Sequence, residues 1–552
     1  MDSQFLNLVK SPARYIGREV NRTVKDWNAA RVKICLCFPE IYELGMSNLG
    51  LRLLYGIVNS QPAYLAERVF APDLDLEKLL RQRGIHISSL ESDKPLSEFD
   101  VIGVTLASEL SYSNFLTVLS LSGIPLKRED RREGDPIVLA GGTGAFTPEP
   151  MTDFCDVFLV GEGEEAIVSI LKTLDENRSG KRREKLLNLS RLPGSYVPSL
   201  YQPQYDQSGV YQGLLSQEKT LCPKIKKAVV GDFENAPFPE KWLVPYLPVV
   251  HDRIGIEIMR GCTNRCQFCQ ARVVYGPCRT RSPRKILELA KNAVAQTGYD
   301  EISLLSLSTG DYPHLVELRD ILEPLCREKK VKISLPSLRA DTLLLSTAQA
   351  EKGRKHSSLT FAPESSERLR RQLKKELTDA DLISQASQAK KAGWQHLKLY
   401  FMLGLPEETE ADLREVTKLI TELSRILRLN LSFNTFIPKP HTPLERAGMA
   451  TEEEIKEKTD FLRGHLKNNR FLSLRFHSYQ QSFLEGLLSR ADRKMGGTIL
   501  GAWQKGCRFD GWDDHFRFDF WTEALAEAEI DCRSILAPQP ERTILPWSHI
   551  VI

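Results

Sequence analysis

Short apolar runs alternate with amphipathic stretches along most of this chain. Val32-Lys33-Ile34-Cys35-Leu36-Cys37-Phe38 is too short and too evenly apolar for a helix face and reads as a buried strand. Further strands are expected at 67–71, 101–106, 136–140 and 157–160. Helical periodicity fills the intervals near 51–60, 76–83, 112–121 and up to about residue 174. Strand–helix alternation of this kind predicts an α/β, doubly wound, Rossmann-like domain over 31–175, after a polar lead-in of helical character at 1–30.

The alternation resumes after a connector at 176–245, whose 201–212 stretch reads as a hairpin turning at Ser208-Gly209. Strands are expected at 253–259, 302–307, 331–335, 359–361, 396–401 and 430–436. Ser282 and Pro283 are a good N-cap and first residue for the helix after the first of them. Six such units over 246–450 predict a partial (β/α)6 TIM-type barrel, with chemistry at the C-terminal strand ends. Residues 451–552 read as an α-rich cap, opening on a Thr451/Glu454 capping box and holding a closing strand at 472–476. Arg490, Asp492, Asp510 and His515 are its candidates for a substrate mouth, against a plain role in packing the cap on the barrel.

Composition changes the picture little. The 552 residues are 41% apolar and 27% charged, enough for several real cores. With 75 basic and 72 acidic residues the net charge is +3, so wholesale nucleic-acid binding has no electrostatic case. No run of 18 apolar residues occurs, so no membrane span is expected. Eleven cysteines with no apolar leader suggest a reducing, cytoplasmic setting and metal use rather than disulfides.

The chemistry concentrates at Gly261-Cys262-Thr263-Asn264-Arg265-Cys266-Gln267-Phe268-Cys269. Thiolates spaced Cys-x3-Cys-x2-Cys can hold three irons of a [4Fe–4S] cubane and leave the fourth open. Phe268 offers an aromatic face to a flat ligand such as adenine. A zinc site closed by Cys278 would make the chain a zinc-stabilised binding or scaffold protein instead.

The spacing resembles that of the radical S-adenosylmethionine (radical SAM) superfamily. The resemblance implies that SAM closes the open iron and is cleaved to a 5′-deoxyadenosyl radical. That radical would abstract hydrogen from an unidentified substrate. It also implies roles for later turns. Gly310 and Asp311 stand where a Gly-Gly-Glu-like turn holds the SAM amino group. Arg339 is a carboxylate partner, against a surface pair with Asp341. Glu364, in Ala362-Pro363-Glu364-Ser365-Ser366-Glu367, stands at the turn that contacts the nucleoside or methionine part. Gly404 and Pro406 belong to the Gly-Leu-Pro-x-Glu-Thr turn after an apolar strand. Phe436–Pro443 matches the Pro-rich core ending of relatives that include tRNA-modifying enzymes, so RNA is the leading substrate expectation, with the basic run Arg368, Arg370, Arg371, Lys374 and Lys375 as its contact. A flavodoxin or ferredoxin is the implied reductant.

The N-terminal domain, with Gly141-Gly142 and Val160-Gly161-Glu162-Gly163-Glu164, resembles the cobalamin-binding-like domain found ahead of many radical SAM cores. The loop 40–50 has no histidine to ligate a corrinoid. Cobalamin held without that ligand stays open, as does a domain that lost it; cobalamin-assisted methyl transfer is the alternative function. Cys35, Cys37 and Cys155 read as small buried residues, not a second cluster's ligands.

Overall fold

The computed structural model describes residues 6–239, 241–335 and 359–552. The expected Rossmann-like domain is present. Its sheet is built from β1 (Val32–Phe38), β2 (Tyr64–Phe70), β3 (Val101–Thr105), β4 (Ile137–Gly141), β5 (Val157–Leu159) and β6 (Ser195–Tyr196) in the order β2-β1-β3-β4-β5-β6. The first five are parallel, and β6 joins antiparallel to β5. The strand order reverses between β1 and β3. Open α/β sheets bind their ligands outside the strand ends at such a point.

β2 starts three residues earlier than its apolar pattern suggested, because Glu67 and Arg68 lie inside the strand. The Arg68 guanidinium is fully buried, 2.9 Å from Glu19 and 2.7 Å from Glu91. Glu19 comes from the lead-in, whose expected helical character amounts to a 3₁₀ turn at Pro12–Tyr15. A buried ion triad thus ties the first residues to the sheet.

The connector holds the hairpin β7 (Tyr201–Tyr205) and β8 (Tyr211–Ser216), with Gly209 at φ +81° in its turn, and then β9 (Ile225–Lys226). The second domain opens on β10 (Ile254–Glu257). A small antiparallel pair, β11 (Met259–Arg260) and β12 (Arg279–Thr280), brackets the cysteine loop. β13 (Glu301–Leu305) and β14 (Lys332–Ser334) complete a parallel sheet with β10. A second parallel sheet comprises β15 (Leu359–Glu364), β16 (His396–Leu403), β17 (Arg428–Thr435) and β18 (Leu472–Phe476). These two arcs form the TIM-type barrel. It runs one strand beyond the six expected: β18 pairs in register with β17, and the rings of Phe401, Phe433 and Phe476 stack across three strands at 5.3 and 4.8 Å.

The cap's first helix, Glu452–Leu466, packs on the barrel as the sequence suggested, but the residues after β18 pack mainly on the N-terminal domain. Trp503 donates to Thr117 at 2.9 Å, Arg508 pairs with Glu77, and the buried Asp510 accepts from Ser113 and Trp521. Arg490 donates to the carbonyls of Pro438 and Glu445, holding the chain after β17. A last strand, β19 (Ile550–Val551), returns to pair with β9. No helix among the described residues is long and apolar enough to cross a membrane.

Arg68 provides a test of how firmly the lead-in is held. Replacing it with methionine leaves Glu19 and Glu91 buried without a counter-charge, a loss of about 3–5 kcal/mol. Urea unfolding of Arg68→Met should show that loss, and the Arg68→Met/Glu19→Gln/Glu91→Gln protein should regain much of it.

Candidate active site

The cysteine loop hangs between β11 and β12. Gly261 has φ +84°, and a Cβ there would meet Cys278 Cα at 2.8 Å, so only glycine lets the two strands close. Cys262, Cys266 and Cys269 are each half-buried. Burial raises the Cys266 and Cys269 thiols above their ordinary value, with neighbouring thiols adding to it and Lys375 opposing it. Metal must therefore displace protons to bind. No three His, Cys, Asp or Glu side chains among the described residues are gathered around one ion-sized point. A cubane holds its thiolates further apart than one ion does, which suits a spread loop.

Second-strand residues hold the loop. Asp311 Oδ2 accepts from Asn264 at 2.8 Å, from Ser308 at 2.6 Å and from Thr263 at 3.3 Å. Asn264 also reaches Cys262 Sγ at 3.4 Å. Asp311, expected at the SAM amino group, thus lies beside the loop with one oxygen engaged in fixing it. Gly310 forms the short turn Thr309–Asp311 that aims it there.

Turns at the ends of β15 and β16 meet the other side of the loop. The Gln267 amide donates to Leu373 O at 3.0 Å. Phe268 packs against Leu369, Leu373, Leu405 and Phe436. Glu364, at φ +69° beside a register shift, pairs with Lys375 at 2.8 Å; Lys375 Nζ lies 5.7 Å from the centre of the Phe268 ring. Gly404 has φ +81°, a Cβ there would strike Ala450 at 2.7 Å, and its amide donates to Glu408. Pro406 follows in the same turn. Phe268, Glu364 and the Gly404–Pro406 turn therefore converge, as the motif order suggested. Arg339 and Asp341 lie outside the described residues.

The basic run is a solvated face at Arg368, Arg371 and Lys374, but most of its charges are paired. Arg368 pairs with Asp412, Arg371 with Glu367, and the fully buried Arg370 with Asp379. Lys375, expected only as part of a substrate-contacting run, instead stands beside Glu364 and Phe268. Its signal was Glu364 eleven residues earlier, on the other flank of one short helix, Glu367–Gln372.

A cavity of 590 Å³ separates the two sheets. One wall is the switch-point edge of the first sheet, from Leu36, Gly103, Thr105, Gly141 and Gly142. Met259, Gly261 and Tyr275, beside the cysteine loop, form the facing wall. At its rim the turn Gly161-Glu162-Gly163-Glu164 meets the strands that bracket the cysteines. Arg260 Nη2 lies 2.6 Å from Glu164 and 2.7 Å from Glu257, and its Nη1 3.4 Å from Glu162. Arg279 takes Glu162 with both terminal nitrogens, one at 2.9 Å. The Phe233 ring underlies Arg260, Arg279 and Arg281 at 5.0, 5.6 and 4.4 Å. Lys227 caps the helix after the cysteines through the carbonyls of Val273, Val274 and Gly276.

Residues 50–198 match a family model described as the N-terminal region of radical SAM proteins, and residues 256–420 match that of the radical SAM superfamily. The chain belongs to the radical SAM superfamily. Membership makes it an enzyme that uses a [4Fe–4S] cluster and SAM and needs a reductant. It is 29% identical over 476 residues to the uncharacterized protein MJ0966 of Methanocaldococcus jannaschii, covering 84% of this chain and 89% of that one. It is 26% identical over 197 residues to a tRNA-2-methylthio-N(6)-dimethylallyladenosine synthase of Clostridium novyi, covering 33% of this chain and 43% of that one. Among solved structures it resembles the radical SAM methyltransferase TsrM from Kitasatospora setae, with cobalamin and [4Fe–4S] cluster bound. The TM-score is 0.53 at 12% identity, covering 91% of this chain and 99% of that one. At that identity the likeness shows the fold.

The Glu162 carboxyl carries a pH dependence. Burial raises its pKa, but hydrogen bonds from Arg279 and the Val230 amide outweigh this and leave it lowered. A carboxylate depressed in the folded state stabilises above its unfolded value, near about 4.3, and loses that contribution as pH falls through the folded value. The stability lost on going from pH 7 to about pH 4 should therefore be smaller in Glu162→Gln than in the wild type, as urea midpoints would report.

Proposed function

We propose that Cys262, Cys266 and Cys269 carry the cluster, that the cavity between the sheets binds a corrinoid, and that the enzyme transfers a methyl group. The position of the cavity carries this reading: the ligand edge of the first sheet and the strand leading to the cysteines face each other across it.

The lining fits such a group. A Cβ at Gly141 would find nothing nearer than Leu159 O at 4.0 Å, so that edge opens toward the cavity. The deep wall is apolar (Ile34, Leu36, Leu53, Ile167), and the rim bears carboxylates, a guanidinium and hydroxyls suited to carboxamide side arms. No histidine lines it among the described residues, and the groups that do line it offer shape and hydrogen bonds. TsrM, the methyltransferase of similar fold, has cobalamin and the cluster bound.

With these groups bound, the cobalt centre can carry a methyl group and the cluster can supply single electrons. The chain's own residues set the stage. Asp311 and Asn264 fix the loop, and Glu364 and Lys375 form the polar wall beside Phe268 that faces SAM. Gly404 and Pro406 bring backbone to the same wall. Arg339 remains the proposed carboxylate partner. A flavodoxin- or ferredoxin-type donor is the proposed reductant, and the cytoplasm the proposed compartment.

Hydrogen abstraction from RNA has less support from this face, since Arg368, Arg370, Arg371 and Lys375 each pair with a carboxylate of this chain. Methylthio transfer of the kind named for the Clostridium relative has no second cluster to draw on. Cys35, Cys37 and Cys155 are fully buried, with thiols pushed far up by desolvation.

The test is anaerobic reconstitution with iron and sulfide, then hydroxocobalamin, followed by gel filtration. Wild type should retain corrinoid absorbance and Gly141→Leu should lose it while keeping the cluster's broad band. Corrinoid retained equally by both proteins, or by neither, would sink the cavity assignment. Cys262→Ala/Cys266→Ala/Cys269→Ala should lose the cluster band and all reductant-dependent turnover of SAM, yet still retain corrinoid.

A further inference from the structure

At the other end of the barrel lies a groove of 1190 Å³. Its walls are the N-terminal ends of β16 and β17, the residues just before β18, and the C-termini of helices Asp379–Lys391, Glu410–Ser424 and Glu452–Leu466. We propose that this groove binds a single-stranded nucleic acid through its phosphates, with Phe471 as a stacking platform for a base.

Charge comes first. Lys390, Arg425, Arg428 and Arg470 line the groove, and no carboxylate does among the described residues. The chain as a whole has 75 basic and 72 acidic residues, so this is a local segregation. Basic side chains commonly sit at helix C-termini to offset the macrodipole. Three helix ends supply about −0.5 each, or about −1.5 in all. Four cations exceed that by about two charges, and among the described residues none of the four has a carboxylate partner within 4.0 Å. The contrast with Arg368, Arg370 and Arg371, each held by an acid, is direct.

Shape and aromatic content come second. Phe471 is 41% exposed at the groove, and the Arg470 guanidinium lies 5.2 Å from its ring centre. An exposed ring beside a guanidinium in a cationic groove is the arrangement that tracks a sugar–phosphate strand and accepts a base face. An acidic electron-donor protein is the weaker occupant. The groove lies at the opposite end of the eight-residue strand β16 from the Gly404 turn, about 25 Å away. A donor docked there would have the whole barrel between it and the cysteines. The inference is independent of the corrinoid reading and stands or falls without it.

The experiment uses the full chain and a fluorescent oligouridylate of about twelve nucleotides, read by anisotropy from about 50 to 200 mM salt. Wild type should bind with log K falling linearly in log salt. Arg425→Gln, Arg428→Gln and Arg470→Gln should each reduce that slope by about 0.7. Phe471→Ala should weaken binding about tenfold at unchanged slope. All four residues are exposed, so circular dichroism and urea midpoints should match wild type. Arg371→Gln, on the paired run, should bind as wild type does. Salt-insensitive binding, wild-type slopes in the three arginine variants, or polyglutamate competing as well as polyuridylate would overturn the proposal.

Discussion

The structure depends on one exchange of buried charge. A turn of the first sheet offers Glu162 and Glu164; the strands that bracket the cysteines offer Arg260 and Arg279. Burying these groups singly would cost several kcal/mol each, so they hold only as a set. The set includes Glu257 on β10 and the Phe233 ring of the connector. Three separate parts of the chain thus meet at one electrostatic knot, directly beside the cavity. Because the geometry of guanidinium–carboxylate pairs is strict, the knot fixes the distance and angle between the two sheets, not merely their association.

The rest of the assembly reinforces that fixed relation. Lys439, after β17, sits between Glu109 of the first domain and Glu485 of the cap at 3.1 and 2.7 Å. His441 is held as a neutral ring whose Nε2–H donates to Phe146 O at 2.8 Å, and Phe146 lines the cavity. Burial is the first cause of that neutrality. β19 closes the circle by pairing with β9. The cap therefore grips the first domain, and the barrel is held from behind through the chain after β17. Such an arrangement keeps the cavity between the two domains at constant shape, as the proposed corrinoid site requires.

Much of this was legible in the sequence, for physical reasons. Parallel strands buried on both faces give continuous apolar runs, so β1 and β3 announced themselves. The cysteine spacing and the Gly404 turn were readable because thiolate spacing and positive φ admit few residue types. What failed was whatever depended on a distant partner. Glu67 and Arg68 seemed to bound a strand, since Glu19 and Glu91, the partners of Arg68, are 49 and 23 residues from it, and Ser89, which donates to Glu67, is 22 away. Arg260 and Arg279 gave no signal, because their acids lie nearly a hundred residues away or more. The docking partner of the cap's later residues was misread for the same reason: Asp510 and Ser113 are 397 residues apart.

Net charge misleads in the same way. A chain at +3 suggests no affinity for polyanions, and a local basic run suggests some; both inferences ignore pairing. Charge that already faces an opposite charge at 2.6–2.9 Å is largely neutralised at any distance beyond a few ångströms. Arg368 and Lys375 are of that kind, with Asp412 held well below the usual carboxylate range, the Arg368 and Ser366 hydrogen bonds outweighing its burial. Lys390, Arg425, Arg428 and Arg470 are spread over eighty residues and look like isolated surface charges in sequence. Only folding brings them to one groove, where three helix ends offset part of their charge and leave the remainder facing solvent. The potential of a surface is set by this remainder, so the face that looks basic in sequence and the face that is basic in space lie at opposite ends of the same barrel.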